Sequence, residues 1–192
     1  ASYTAEPDNA VLFTAHTLYR IGSEGMELKN EVTNNSGLET IARVGQSFRL
    51  PAAFDTLTWY GKGPWETYAD RKDAALIGLY TSSVAEQHVP FAVPCECGGH
   101  EDTRFAALSD GTHTVQIVGS DDFHFSALPY SIAEYRKATY EEELPEQTTG
   151  TWLILDVAHA GLGGDTGWTK NIHPEYRVCK GRYSYTFRFH FA

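Results

Sequence analysis

The sequence predicts an all-β fold, a sandwich of antiparallel strands with one short helix. Apolar and polar residues alternate with a period of two, as in Met26–Val32, Phe123–Ala127 and Tyr183–Phe191. Clusters of turn-forming residues, such as Asn34–Gly37 and Ser109–Gly111, separate these runs. Such alternation places one face of a strand against a core and the other in water, which is typical of antiparallel sheets.

About nine strands are expected in order along the chain, enough for two packed sheets. Besides the three alternating runs, strands are predicted near Leu12–Ile21, Ile41–Leu50, Phe54–Tyr60, Ala74–Tyr80, Thr112–Val118 and Trp152–His159. The last strand, Tyr183–Phe191, carries aromatic residues at every second position, so we expect these rings to pack in the core.

The helix is predicted after Pro129. Ser131 and Glu134 have the spacing of a capping box, good helix formers continue to about Tyr140, and Pro145 follows the end. We expect this helix to cross an edge or an end of the sheets. No repeat or long linker indicates a second domain, so residues 1–192 are interpreted as one domain.

Composition excludes several classes of partner. The formal net charge is −10, and the basic residues are scattered, so a nucleic-acid partner is not expected. No apolar run is long enough to span a membrane, and Ala1–Pro7 lacks the basic and apolar regions of a signal peptide. We therefore expect a soluble, cytoplasmic protein, with a periplasmic or secreted location left open.

The three cysteines do not form an obvious site. An odd count favours reduced thiols, in keeping with the cytoplasm. Cys95, Cys97 and His100 resemble part of a zinc site, but structural zinc needs four ligands and usually a wider cysteine spacing, so no metal is expected. The strand histidines, His113, His124 and His190, are interpreted as ordinary sheet residues.

The most informative segment runs from Asp156 to Trp168, where a hydrophobic strand enters a glycine-rich loop. His159 stands at the end of the strand, and Asp165 and Trp168 lie in the loop. Glycines let the backbone approach a ligand closely, and the indole offers a flat apolar face with one N–H donor, which suits a sugar. The alternative is that Trp168 packs beneath its own loop.

The other tryptophans are interpreted from their positions. Trp59 and Trp152 lie inside strand patterns and are expected in the core. Trp65 follows a Gly-Pro turn, where the sequence does not decide between a packing role and a surface role.

Four motifs in order resemble the C-terminal β-sandwich domain of the large bacterial β-galactosidases of glycoside hydrolase family two. They are Trp59–Arg71, Pro94–Gly98, Asp102–Phe105 and the loop that ends at Trp168. The resemblance covers nearly the whole chain. It implies a galactose-mutarotase-like supersandwich and a parent enzyme that hydrolyses terminal β-D-galactosides with retention, through carboxylates on a separate (β/α)₈ barrel.

The barrel is absent from this sequence, so the resemblance implies no catalytic residue and no cofactor in this chain. Any magnesium and sodium of the parent enzyme would be bound by its other domains. The implied partners are a β-galactoside and the catalytic barrel, and an exposed sheet edge would favour a homo-oligomer.

The resemblance also implies site residues. The implied substrate-binding residues are Trp168, Asp165 and His159. Three charged residues in the other motifs are expected to contact either the sugar or the loops: Asp70, Arg71 and Glu96. For Asp70 and Arg71 the loop-supporting role is favoured. Two departures affect this loop geometry, since Cys97 replaces the usual amide and the proline after Trp168 is displaced to Pro174.

Three other functions are kept as alternatives. A free-standing carbohydrate-binding module would show further exposed aromatic residues at the rim. An aldose epimerase would need a histidine and a glutamate that converge for acid–base catalysis. A purely structural domain would bury Trp168 against protein. Independent hydrolysis by Glu96 and Asp102 is disfavoured, because nothing in the sequence holds them at the separation that a glycosidase needs.

Overall fold

A computed structural model describes residues 2–5, 10–163 and 171–192. In these residues there are ten strands and one α-helix. The strands are β1 Ser2–Ala5, β2 Ala10–Gly22, β3 Gly25–Asn34, β4 Arg43–Leu50, β5 Thr56–Gly63, β6 Leu76–Ser83, β7 Gly99–Ser109, β8 Thr114–Leu128, β9 Thr151–His159 and β10 Gly181–Phe191. The helix is α1 Ile132–Lys137, and short 3₁₀ turns occupy Ala85–Gln87, Glu141–Glu143 and Pro174–Tyr176.

All strand pairings are antiparallel, as the alternation predicts. The main sheet has the order β1-β2-β3-β10-β8-β7-β5-β6, and β4 and β9 branch from β8. One edge of β8 is shared by two neighbouring strands. Its residues Val115–Gly119 pair with β10, and its residues His124–Leu128 pair with β9. The long strand therefore belongs to two layers.

The two layers face each other across one core. Phe48 of β4 meets Phe189 of β10 edge to face, with ring centroids 5.0 Å apart. Tyr185, Phe187 and Phe189 are buried, which confirms the predicted packing of the aromatic row, although Phe191 at its end is exposed. Trp59 is also buried, as predicted, and its Nε1 donates a 3.0 Å hydrogen bond to the carbonyl of Lys62.

The structure differs from the sequence prediction in three strands, of which the first is β1, a strand that was not predicted. β7 was not predicted, because register shifts between His100 and Phe105 interrupt its alternation and Asp102 has a positive φ of 52°. The predicted strands at Thr112–Val118 and Phe123–Ala127 are parts of the single strand β8.

The capping box of α1 is confirmed, since Ser131 and Glu134 exchange side-chain-to-backbone hydrogen bonds. The helix is shorter than predicted, because Ala138 is already extended. Tyr135 of α1 packs with Cys97, Leu144 and Leu128 at the end of β8, where it forms a second, smaller core. No helix among the described residues is long and apolar enough to cross a bilayer.

Candidate functional site

The loops predicted from the sequence motifs lie side by side. The Glu66 carboxylate, in the loop of residues 64–71, accepts a 2.8 Å hydrogen bond from the Gly98 N–H. The Thr67 N–H donates to the Gly99 carbonyl at 2.7 Å. Asp70 in turn binds the first residues of the glycine-rich loop, 160–163. Three motifs that are distant in sequence therefore form one continuous rim.

Asp70 holds the start of the glycine-rich loop through both carboxylate oxygens. Oδ1 accepts from the Leu162 N–H at 3.0 Å, and Oδ2 accepts from the Gly163 N–H at 2.6 Å. A Cβ at Gly161 would lie 2.6 Å from Asp70 Oδ2, so the approach requires glycine there. Charged acceptors make strong bonds to backbone donors. These contacts match the predicted loop-supporting role of Asp70.

Arg71 supports the same rim from its outer side. Its guanidinium forms an ion pair with Glu66 and lies over the Tyr68 ring, 5.5 Å from the centroid. The Arg71 side chain is still 48% exposed. Part of its donor set therefore faces solvent.

A buried charged cluster lies beneath the rim. Arg43 at the start of β4 forms an ion pair with Glu96 Oε1 at 2.6 Å and lies 3.5 Å from Asp156 Oδ2. His124 Nδ1 is 3.3 Å from the same Asp156 oxygen. His159 Nε2 is 3.7 Å from Glu96 Oε1, and its Nδ1 is 2.7 Å from the Ala160 carbonyl. The cluster joins β4, β8 and β9 to the loop of residues 94–98.

Electrostatics in this cluster follow from burial and pairing. Burial opposes the charge of Arg43, but the carboxylates of Asp156 and Glu96 outweigh it and raise the pKa of the guanidinium. Burial likewise opposes the charge of Glu96, but His159 and Arg43 outweigh it and lower the pKa of that carboxyl. Both groups are therefore held in their charged forms.

Three members of the cluster have the donor types of a metal site. The ligand atoms of His124, Asp156 and His159 all lie within 4.8 Å of one another. Two imidazoles and a carboxylate suit a divalent transition metal by type. However, the Arg43 guanidinium already supplies a positive charge 3.5 Å from Asp156. The arginine therefore compensates the charge of Asp156.

The cysteine motif does not form a metal site. Cys95 is exposed and Cys97 is buried, with its sulfur 3.7 Å from the Tyr135 hydroxyl. His100 lies elsewhere, with Nε2 2.5 Å from Gln87 Oε1. Burial raises the pKa of the Cys97 thiol to about 11, so it is protonated at neutral pH.

The family profile described as beta galactosidase small chain matches residues 1–189. The chain belongs to this family. A beta-galactosidase of Priestia megaterium is 35% identical over 178 residues, covering 92% of this chain and 17% of the relative. One from Vibrio cholerae is 38% identical over 164 residues, covering 85% and 15%, and BgaC of Bifidobacterium adolescentis is 32% identical over 185 residues, covering 93% and 17%. The chain thus spans roughly one sixth of the length of these relatives.

Two solved structures are similar at 9% identity over the whole chain. A putative aldose 1-epimerase from Escherichia coli K12 has a TM-score of 0.47, with 63% of that chain covered. A galactose mutarotase-like protein from Lactobacillus casei has a TM-score of 0.41, with 73% covered.

Four of the residues predicted to belong to the site lie near one another in the structure. Asp70, Arg71, Glu96 and His159 all lie at the rim or in the cluster beneath it. Asp165 and Trp168 lie outside the described residues, so their roles stay predictions.

The central residues Arg43, His124 and Asp156 were not predicted as site residues. His124 was interpreted as an ordinary strand residue, whereas it is 4% exposed and paired with Asp156. One signal was available, because Asp156 stands between Leu155 and Val157 in an apolar strand. A buried charge requires a partner, but the sequence does not say which.

Replacing Asp70 with alanine should loosen the rim at residues 162–163. The two backbone donors lose a charged acceptor, at a cost of about 1–3 kcal/mol. Hydrogen exchange should become faster at the Leu162 and Gly163 amides. Asp73→Ala, in an exposed position nearby, is the matched control and should leave these amides unchanged. Equal exchange rates in the wild type and in Asp70→Ala would contradict the proposed support.

Proposed function

We propose that this chain is the C-terminal small-chain domain of a β-galactosidase and that it completes and stabilises a β-galactoside site formed mainly by a catalytic barrel. The observation that carries the proposal is the convergence of the family motifs on the segment that leads to Trp168, with Asp70 holding Leu162 and Gly163. The names and lengths of the relatives support it, since each is a beta-galactosidase about six times as long.

In this proposal the chain performs no chemical step. Hydrolysis with retention is carried out by two carboxylates on the barrel. Magnesium and sodium are bound by other domains of the parent enzyme, which we place in the cytoplasm. The domain helps to orient the bound sugar, because a sugar that is held in the correct orientation reacts faster than one that is not.

Trp168 is the proposed sugar-stacking residue, and Asp165, three positions earlier in the sequence, is proposed to contact the sugar as well. By analogy with pairs of aromatic rings, we expect this stacking to contribute about 0.5–1.5 kcal/mol beyond area burial. His159 acts differently, since its side chain is only 3% exposed and both ring nitrogens face protein oxygens. We assign it to loop positioning rather than to direct sugar contact.

A chimaeric enzyme tests the proposal. This chain replaces the matched segment of the Priestia megaterium β-galactosidase, and hydrolysis of a chromogenic β-galactoside is measured. The chimaera should be active, and Trp168→Ala should lower kcat/KM about three- to tenfold. The isolated chain should show no turnover. The reference is the Priestia megaterium enzyme from which the matched segment has been deleted. A folded chimaera that is no more active than this deletion variant, or turnover by the pure isolated chain, would refute the proposal.

A second candidate, an aldose epimerase, requires a histidine and a glutamate, and His159 and Glu96 lie close together in the buried cluster. Acid and base must lie on either side of the sugar. Here His159 Nε2 is 3.7 Å from Glu96 Oε1, and Arg43 holds the same oxygen, so no sugar fits between them. The chain should therefore not accelerate the interconversion of galactose anomers in polarimetry. An acceleration that Glu96→Gln abolishes would favour the epimerase.

A further inference from the structure

Trp65 is the most exposed tryptophan among the described residues. Its relative exposure is 61%, whereas tryptophan is usually highly buried. The indole ring stacks on no described aromatic side chain, and its Nε1 donates to no described residue. Folding therefore gains little from a large apolar ring that stands in water. The exposed face of the indole is therefore accessible to a ligand.

Trp65 lies on the wall of an open cleft of about 420 Å³. Tyr176 lines the cleft too. The charged side chains that line it are Glu66, Asp70, Arg71, Lys72 and Asp73. The volume falls within the range of small-molecule sites, and the lining combines an aromatic wall with more charged groups than such sites usually have.

The charged groups of the cleft differ in how far protein partners already occupy them, and therefore in how well they can bind a ligand. Both oxygens of Asp70 accept from backbone N–H groups, and Lys72 is paired with Asp102 at 2.7 Å. By contrast, the Arg71 side chain is 48% exposed, and Asp73 makes no ion pair with any described residue. The cleft thus offers a guanidinium donor and a carboxylate acceptor near the indole.

The balance of charges restricts the ligand class. Three acids and two bases nearly cancel, so neither an anion nor a cation is favoured. Five charged groups also disfavour an apolar peptide, because their desolvation would oppose burial. A neutral molecule with one apolar face and many hydroxyl groups satisfies both the indole and the charged rim. A pyranose sugar has this chemistry.

We propose that Trp65, Arg71 and Asp73 form a carbohydrate-binding site that takes a pyranose ring and functions in the isolated chain. The ring stacks on the Trp65 indole, while its hydroxyl groups donate to Asp73 and accept from Arg71. Asp70 lines the same cleft and holds Leu162 and Gly163, so the site borders the start of the loop that leads to Trp168. Sugar binding at Trp65 does not depend on the catalytic barrel.

Fluorine NMR of the chain labelled with 5-fluorotryptophan tests this site, because the four tryptophans give separate signals that Trp→Phe variants assign. The labelled chain is titrated with lactose and with galactose, and sorbitol serves as a non-cyclic polyol control. The Trp65 signal should shift and saturate with either sugar but not with sorbitol. Trp65→Ala and Arg71→Met should each weaken lactose binding about three- to tenfold.

Tyr140→Ala is the matched control, because Tyr140 is 58% exposed and lies outside the cleft. It should leave the affinity unchanged. If the Trp168 signal moves and the Trp65 signal does not, the site at Trp65 is refuted and the role of Trp168 stands. If only the Trp65 signal moves, the site is supported whatever the chimaera shows. No shift at Trp65 at saturating lactose overturns the inference.

Discussion

Replacing Arg43 with methionine should lower the free energy of unfolding by about 3–5 kcal/mol, the usual cost of removing one partner of a buried ion pair. The substitution leaves Asp156, which is fully buried, and Glu96 without their shared guanidinium. Methionine fills most of the space of the arginine stem, so the loss reports on charge rather than on packing. Urea denaturation measures it.

Two variants separate charge from geometry in this experiment. Arg43→Lys keeps the charge but loses the planar fork that reaches both carboxylates, so we expect an intermediate loss. Arg20→Met is the surface control, since the Arg20 side chain is 72% exposed in its pair with Glu27, and it should cost at most about 1 kcal/mol. Equal losses for Arg43→Met and Arg20→Met would show that Arg43 does not compensate the buried acids.

Phe125→Ala should also destabilise the domain by about 3–5 kcal/mol. Phe125 of β8 is fully buried, and its ring lies 5.3 Å from His100 and 6.4 Å from Trp59, measured between centroids. Close packing leaves the neighbours little freedom to fill the cavity. Thermal unfolding by calorimetry should show a clearly lower Tm.

Tyr60→Ala provides the aromatic control for this core substitution. Tyr60 follows Trp59 on β5, but this residue is 41% exposed. It should cost less than Phe125→Ala, because a large part of its surface is in water in both states, so less apolar area is lost from the core. A loss below about 1 kcal/mol for Phe125→Ala would mean that the core of β8 is far more tolerant than its packing indicates.

Local sequence patterns were enough to predict the fold class. The features of β7 and β8 that were not predicted depend on how the strands pair. Alternation at Tyr183–Phe191 predicted a core-facing strand, and the spacing of Ser131 and Glu134 predicted the helix start. Strand β7 was not predicted, because its register shifts around Thr103 break the period of two. The division of β8 between β10 and β9 depends on pairing, which periodicity does not report.

The rim of the candidate site was more predictable than the cluster beneath it. Asp70 and Glu96 lie in loops with distinctive composition, where a carboxylate invites a functional interpretation. Arg43 and Asp156 are far apart in sequence, and each belongs to a strand, Arg43 to the start of β4 and Asp156 to the interior of β9. Their partnership arises from the pairing of β4 with β9, a long-range contact that a single sequence does not reveal.

The position of β10 has a consequence for synthesis of the chain. It is the last described strand, yet it lies in the middle of the sheet and alone connects β3 with β8. A ribosome must therefore translate through residue 191 before the two halves can join. Until then β3 and β8 expose unpaired backbone that is prone to aggregation. Nascent chains of this domain should depend on protection by a chaperone during that interval.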